Sequence, residues 1–380
     1  MKRLLRSVCL VLAVLLCLPL FGGCKGKAEP MLTYKDTVID ETMYTYWMSV
    51  YKTYYLRQVL GITDTKDALD TELSLRGDDG ALMQITIADY ITKSIEGIIL
   101  NNCLALALFD EYGLTLPGSV QTEIDHMVES EIENAGGRKA LNAVLAPIGL
   151  NINGLRDMYE ADEKITYLYD YLYSTEDMVA NGIAGAEPIT EAQYNAYYED
   201  NFVCVKHIYI RTYDKNVLDE EGAAKYNEDG SLMTEKLTED ERKERLQLVQ
   251  SIMLKLDSGA DFDTLMQKNS MDANRTVYKD GYVVGRYTSM PAEFLDAAFD
   301  MEIGEIRRVD TDYATHIMLR LPLPENGWKD SATRETMGEF FEPLRSKLFA
   351  EKIAPMAEDV VYNAELINAF SIYDVPMTVY

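Results

Sequence analysis

Two short apolar segments with a histidine inside each constrain the fold of this chain more than any other feature. The first, Phe202–Ile210, contains His207, and the second, Tyr313–Leu321, contains His316. Both segments alternate or run apolar over the length of a strand, so the sequence predicts a β-strand at each. Because other parts of the chain have helical spacing, the predicted fold class is α+β.

A third segment, Ser289–Ile306, lies between these predicted strands and carries Met290, Phe294 and a Gly-Glu pair. The three segments together resemble the parvulin-type peptidyl-prolyl isomerase domain. That family shows His-Ile/Leu-Leu-Val in its first strand, then Met-x-x-x-Phe-x-x-Ala-x-Phe followed by Gly-Glu, and His-Ile-Ile in its last strand. The resemblance covers residues 201–322 and implies an antiparallel β-sheet with surrounding helices.

The resemblance implies catalysis of rotation about X-Pro peptide bonds. This rotation crosses a barrier of about 18–20 kcal/mol and needs no nucleophile, metal ion or cofactor. The planar amide is strongly dipolar and the twisted transition state is less so, so an apolar pocket with little water favours the twisted state. The implied catalytic residues are His207, Asp272, His316 and Thr311, and the implied substrate-binding residues are Met290, Phe294, Tyr209 and Val284.

These residues also have a purely structural interpretation. Met290 and Phe294 stand at i and i+4, on one face of a helix that begins near Met290, where they could simply pack in a core. The two histidines could serve only to fix the sheet, because a buried and satisfied polar network stabilises a fold whether or not it catalyses. A zinc site is not favoured, since no third ligand is spaced with His207 and His316.

The sequence departs from the family pattern at Lys279–Gly285 and at Ala314-Thr315, where the family usually has Gly-Tyr or Gly-Phe before the last histidine. The family's Gly-Gly-Asp-Leu-Gly-Trp-Phe run corresponds to Lys279–Gly285, so the aromatic residue of the prolyl pocket is missing or displaced, with Val284 or Tyr287 as substitutes. Parvulins that read phosphate carry a basic cluster after the first strand. Here Arg211 is followed by an acidic loop, Asp214–Lys236, so a preference for phosphorylated substrates is not expected.

The N-terminus has the pattern of a secretory signal. Basic residues within the first six positions precede the apolar stretch Val8–Phe21, which is shorter than a membrane span requires. The stretch ends in Leu20–Cys24, which resembles a lipobox with the lipid on the Cys24 thiol. We therefore predict a signal peptide over residues 1–23, an acyl anchor that does not span the bilayer, and an extracytoplasmic location. An ordinary cleaved signal is the alternative.

Charge and cysteine content exclude some functions. Removal of the signal peptide takes away three positive charges and changes the formal net charge from −27 to −30. Such an acidic chain is not expected to bind nucleic acid, whose phosphates need a basic surface. Apart from Cys24, only Cys103 and Cys204 remain after cleavage, and both are predicted to be small buried apolar residues rather than a disulfide.

The rest of the chain is predicted to form a helical body. The run Asn134–Tyr159 resembles the N-terminal region of PrsA/SurA-like exported foldases, in which an isomerase domain is inserted in an all-α chaperone body. The predicted domains are therefore the body, 24–200, the isomerase, 201–324, and a C-terminal helical segment, 325–380, that packs on the body.

The C-terminal segment is too short for a good core of its own. A helix from Ser331 to Ala357 is predicted to carry an apolar stripe that needs a partner, which we expect among the helices of residues 30–200. The stripe comprises Met337, Phe340, Phe341, Leu344 and Leu348.

Two functions follow from these observations. The first is a lipid-anchored extracytoplasmic isomerase and chaperone, whose partners are unfolded exported polypeptides with X-Pro bonds and, through the anchor, the membrane. The alternative is a catalytically silent parvulin-fold holdase or scaffold. A solute-binding lipoprotein fits poorly, because residues 30–200 lack repeated βαβ patterns. The oligomeric state stays open, a dimer being one alternative.

Overall fold

The computed structural model describes residues 29–76, 82–173 and 185–378, so the predicted signal peptide and Cys24 lie outside the described residues. The chain divides into two compact units. The first comprises the residues up to Leu172 together with those from Phe349 onward, and the second comprises Tyr173–Leu348. The sequence analysis placed the corresponding boundaries after residues 200 and 324.

The first unit contains the helices predicted from apolar spacing, and also strands that were not predicted. Side chains fix where two of the helices begin: the carboxylate of Asp40 accepts from the Met43 N–H, and the Thr86 hydroxyl accepts from the Asp89 N–H. The elements up to Leu172 are β1 (Pro30–Tyr34), β2 (Thr37–Asp40), α1 (Glu41–Tyr54), a π-helical turn (Tyr55–Val59), α2 (Lys66–Leu69), β3 (Glu72–Arg76), β4 (Leu82–Thr86), α3 (Ile87–Glu111), α4 (Gly118–Asn134), α5 (Arg138–Leu145), a 3₁₀ turn (Ala146–Ile148) and α6 (Ile152–Leu172).

Helix α3 is the central helix of this unit. Ile91, Ile95 and Ile99, each four residues from the next, are completely buried. Among the described residues it is the one helix long and apolar enough to cross a membrane, with a mean hydropathy of 1.3, and half of its apolar window is buried in the protein. Burial of this kind is also what a core helix shows.

The second unit is built on a four-stranded antiparallel sheet whose strands lie in the order β8 (Tyr282–Gly285), β5 (Phe202–Arg211), β10 (Ala314–Leu321) and β9 (Ile306–Asp310). Two of its helices begin with a capping box, in which Thr190 pairs with Gln193 and Thr238 pairs with Glu241. The elements are α7 (Glu191–Asn201), β5 (Phe202–Arg211), β6 (Asp214–Asn216), β7 (Thr234–Lys236), α8 (Glu239–Asp257), α9 (Phe262–Asn269), β8 (Tyr282–Gly285), α10 (Ala292–Asp300), β9 (Ile306–Asp310), β10 (Ala314–Leu321), a 3₁₀ turn (Gly327–Lys329), α11 (Ser331–Met337) and α12 (Phe341–Ala357), which continues into the first unit.

The two faces of this sheet have different neighbours. In the pairing of β5 with β10, Met318 lies opposite His207 and His316 lies opposite Tyr209. Because side chains alternate along a strand, these four side chains share one face, which helix α10 covers. The other face carries residues such as Ile208 and packs against α8 and α9. The acidic loop after β5 forms a β6–β7 hairpin outside the sheet.

The predicted C-terminal helix is wrong in one respect: it is broken at Gly338, whose φ of 74° is a conformation that side chains other than glycine rarely adopt. The expected partner of the apolar stripe is also corrected. Met337, Phe340 and Leu344 are buried in the second unit against α7 and the parvulin-like sheet. The residues they contact there include Tyr194, Tyr198, Phe202, Cys204 and Val283.

The chain returns to the first unit after Phe349, through β11 (Val361–Tyr362) and α13 (Ala364–Ala369). Strand β11 pairs antiparallel with β1, which also pairs with β2, so the first and last strands of the described residues share one small sheet. The α+β class is confirmed, and this sheet and the β3–β4 hairpin show that the first unit is not built from helices alone.

Candidate active site

The two histidines of the apolar strands face each other on the covered side of the sheet. The Nδ1 atoms of His207 and His316 are 3.0 Å apart, and the two rings are stacked with an angle of 18° between their planes. Both residues are buried. A short contact between two ring nitrogens requires one to carry a proton and the other to be a bare acceptor.

Asp272 follows α9 and places its carboxylate beside His207. Its Oδ2 atom is 3.3 Å from His207 Nε2 and accepts at 2.5 Å from the Tyr282 hydroxyl, and its Oδ1 atom accepts from the Asn274 N–H at 2.9 Å. Burial acts to raise the pKa of Asp272, but the hydrogen bonds from His207, Tyr282 and Asn274 outweigh it and lower the pKa to about 2. The carboxylate is therefore ionised at neutral pH.

The ionised carboxylate sets the positions of the protons in this network. Because Asp272 can only accept, Nε2 of His207 must carry a proton, and with a neutral ring its Nδ1 atom is then an acceptor. His316 must donate to it from its own Nδ1. Burial, and next the neighbouring His207, lower the pKa of His316 to about 3, so His316 is neutral at physiological pH. The result is a series of two hydrogen bonds, in which His316 donates to His207 and His207 donates to Asp272.

An apolar wall lies against both imidazoles. The ring centroid of Phe294 is 5.4 Å from that of His207 and 5.1 Å from that of His316, with edge-to-face geometry. Phe294 and Val284 are completely buried in one cluster, and Met290 packs against this cluster from a partly exposed position. Met290 lies outside the helix, which begins at Ala292 after Pro291, so the expected i, i+4 helical pairing is wrong although both side chains reach the same cluster.

The structure brings Tyr209 to the site and gives Thr311 a different set of contacts. The Tyr209 ring is half-buried, 5.2 Å from the His316 ring and 6.2 Å from the His207 ring. The Thr311 hydroxyl donates to the Ala314 carbonyl and accepts from the Ala314 N–H, which closes the turn between β9 and β10. Among the described residues no hydrogen bond links Thr311 to either histidine.

Sequence reasoning missed Tyr282. Of the two proposed substitutes for the pocket aromatic, Tyr287 is 94% exposed, whereas Tyr282 is 7% exposed and its ring centroid is 5.3 Å from that of His207. Tyr282 pairs with Val205 across β8 and β5, so it shares a face with His207, two residues further along β5. Had the β8–β5 register been known, strand alternation would have pointed to it.

Comparison with known proteins identifies the domain family of this part of the chain. Residues 198–319 match the family described as PPIC-type PPIASE domain. This range contains both histidines, Asp272 and the apolar wall, so the chain carries a peptidyl-prolyl cis-trans isomerase domain of the parvulin type, as the sequence analysis predicted. No curated protein matches the chain significantly.

Solved structures of foldases match more of the chain at low identity. The crystal structure of PrsA from Bacillus subtilis is 15% identical, with 79% of this chain and 91% of that chain covered and a TM-score of 0.23. The foldase protein PrsA from Streptococcus pneumoniae gives the same four values. The peptidylprolyl isomerase PrsA from Bacillus cereus is 17% identical, with 80% and 90% covered and a TM-score of 0.28. These TM-scores are too low to define the arrangement of the whole chain.

Proposed function

We propose that this chain is a lipid-anchored, extracytoplasmic peptidyl-prolyl isomerase and chaperone that assists the folding of exported proteins. Its isomerase activity is assigned to residues 201–322, with His207, Asp272 and His316 as the polar group and Phe294 and Met290 as the apolar wall. The signal-like N-terminus and the lipobox-like Leu20–Cys24 support the location and the anchor.

The chemistry is that of a twisting amide in an apolar site. As the X-Pro bond leaves planarity, the carbonyl loses resonance with nitrogen and the amide becomes less dipolar, so exclusion of water favours the transition state over the planar ground state. The apolar wall holds the prolyl ring, and the histidine network presents a fixed polar group to the carbonyl. No covalent bond to the protein forms or breaks.

One observation carries this proposal: the edge-to-face contact of Phe294 with both imidazoles. An apolar wall alone is ordinary core packing, and a histidine pair alone can stabilise a sheet. Their direct contact on one sheet face places a water-poor surface and an oriented polar chain at the same point, which is what a rotating prolyl amide needs.

The test is a proline-limited refolding assay with a soluble form of the chain that begins after Cys24. The wild-type chain should accelerate the slow phase, and Phe294→Ala should lower kcat/KM by about tenfold or more by opening the wall to water. Phe262→Ala is the matched control: it also truncates a buried phenylalanine of the second unit, but in the cluster on the opposite face of the sheet. Equal losses in the two variants would mean that general destabilisation, not the wall, determines activity.

A second candidate function, a silent holdase, is favoured by one feature of the same wall. Phe294 has no exposed surface. A prolyl ring can therefore contact it only if side chains that pack against its cluster, such as Met290 or Tyr278, shift. A folded wild-type chain that suppresses aggregation of an unfolded client but leaves the proline-limited phase unchanged would establish this alternative.

A further inference from the structure

We propose that Tyr282 is a positioning residue of the isomerase site, whose hydroxyl holds the Asp272 carboxylate in the place from which it fixes the tautomers of His207 and His316. This inference deepens the proposed function, and it concerns a residue that lies outside the expected set of site residues. Tyr282 does not touch the histidine nitrogens, so it acts through Asp272.

The geometry is that of two donors on one oxygen. Oδ2 of Asp272 accepts from the Tyr282 hydroxyl at 2.5 Å and lies 3.3 Å from His207 Nε2. The shorter contact is the one to tyrosine, and hydroxyl-to-carboxylate hydrogen bonds of this length are among the stronger ones in proteins. The Tyr282 hydroxyl therefore fixes the position of Asp272 Oδ2, the same oxygen that faces His207 Nε2.

The Tyr282 ring is itself held firmly. It is buried, packs edge-on against His207, and stacks obliquely on Tyr278 with the centroids 4.8 Å apart. The Tyr278 hydroxyl donates to Glu335, so it does not compete for Asp272. Burial, followed by the hydrogen bond to Asp272, raises the pKa of Tyr282, so its hydroxyl keeps its proton and stays a donor.

The protonation of Asp272 also determines which histidine donates in the contact between His207 and His316. A protonated Asp272 could donate to His207 Nε2, which would move the His207 proton to Nδ1 and reverse the donor and acceptor across the histidine pair. By holding the ionised carboxylate beside His207 Nε2, the Tyr282 hydroxyl favours the direction in which His316 donates to His207. The charged and titratable groups that face Asp272 are His207 and Tyr209 on β5, His316 on β10, Tyr282 on β8 and Arg275, which donates to the Asp272 backbone carbonyl.

The experiment compares Tyr282→Phe with Tyr278→Phe in the soluble chain. Both variants remove one phenolic hydroxyl and keep the ring, but only the first hydroxyl contacts Asp272. Titration of the Asp272 carboxyl carbon by NMR should show an apparent pKa about one unit higher in Tyr282→Phe and unchanged in Tyr278→Phe. The kcat of the isomerase should fall in Tyr282→Phe with little change in KM, because the hydroxyl acts on the catalytic network and not on substrate binding.

Two outcomes would overturn the inference: an unchanged Asp272 titration in folded Tyr282→Phe, or an equal shift in both variants. If Tyr282→Phe does not fold, the inference is tested instead by the protonation of the His207 and His316 ring nitrogens in the wild-type chain. Their NMR shifts should show His207 protonated at Nε2 and His316 at Nδ1, and the opposite pair of tautomers would contradict the inference. These NMR measurements do not depend on isomerase activity. A chain that shows the expected titration and tautomers but has no isomerase activity would contradict the proposed function and still support the positioning role of Tyr282.

Discussion

The Nδ1 atoms of His207 and His316 meet at 3.0 Å across neighbouring strands, and this contact is lost if both rings become charged. Burial lowers the pKa of His316 to about 3 in the folded chain, from the ordinary histidine value of 6.5. Between these values the unfolded state binds a proton that the folded state does not, so the stability of the second unit falls as the pH is lowered from about 6.5 to about 3. Asp272 adds to this loss below its usual value of 3.8, since its own pKa is also lowered.

We predict that His316→Gln flattens this acid dependence by up to about 1.4 kcal/mol per pH unit. The chain has two tryptophans, Trp47 in the first unit and Trp328 in the second, so each unit can be followed separately. Urea unfolding of the second unit would be read from Trp328 fluorescence in a Trp47→Phe background. An equally steep acid dependence in His316→Gln would contradict the assignment.

The first unit should respond to pH in the opposite sense through Asp162. Burial raises the pKa of this carboxyl to about 6, although hydrogen bonds from Trp47 and Tyr46 act to lower it. Between pH 3.8 and 6 the folded state binds the extra proton, so the contribution of Asp162 stabilises the unit at low pH and is lost as the pH rises through about 6.

We therefore predict that Asp162→Asn removes a stabilisation of the first unit that the wild-type chain gains on acidification from pH 7 to pH 4. The measurement is urea unfolding followed by Trp47 fluorescence in a Trp328→Phe background, at both pH values. Asp170→Asn, on the same helix, is the control substitution. A wild-type chain whose first unit gains no stability relative to Asp162→Asn on acidification would disprove this role.

The site was predictable from sequence to the extent that it depends on local spacing. The strands around His207 and His316 follow from apolar runs, and the family pattern supplied Asp272 and Phe294. Tyr282 could not be found in this way, because its position depends on the register between β8 and β5, which no local pattern encodes.

The fold was predictable to a similar extent. Helices α3 and α4 follow from the period of their apolar residues. The pairing of β11 with β1 joins residues more than 300 positions apart in a strand of two residues, too short to leave a pattern. The partner of the apolar stripe was missed because the sequence shows that Phe340 needs burial but does not show against what.

Lys52 should be the most sensitive charged residue of the first unit. It is completely buried, donates to the Val375 carbonyl at 2.8 Å and pairs with Asp64 at 2.8 Å. Lys52→Met leaves both partners unsatisfied and should lower the free energy of unfolding by about 3 kcal/mol. Lys66→Met is the control, because the Lys66–Asp70 pair is exposed to solvent and should contribute little to the free energy of unfolding. Similar losses in the two variants would rule out a special role of Lys52.

Cys24 is predicted to carry the lipid anchor. Cys24→Ser should leave the chain as an unprocessed precursor or release it from the membrane fraction, because the acyl chains that hold it there are absent. Fractionation and intact mass of the expressed full-length chain give the measurement, with Cys17→Ser as the control inside the apolar signal stretch. Unchanged mass and unchanged membrane association in Cys24→Ser would contradict the prediction that Cys24 carries a lipid anchor.

Deletion of the chain from Phe349 to Tyr380 should destabilise the first unit and spare the second. The deleted residues supply β11 to the small sheet of β1 and β2, and they supply the Val375 carbonyl to buried Lys52. The unfolding transition seen by Trp47 should shift to lower urea, while that seen by Trp328 and the isomerase activity remain. A longer deletion, from residue 325, also removes Met337, Phe340 and Leu344 from the cluster of the second unit and should lower both transitions. If the shorter deletion lowers the Trp328 transition as much as the longer one, the C-terminal residues contribute to the second unit and the division at Leu348 is incorrect.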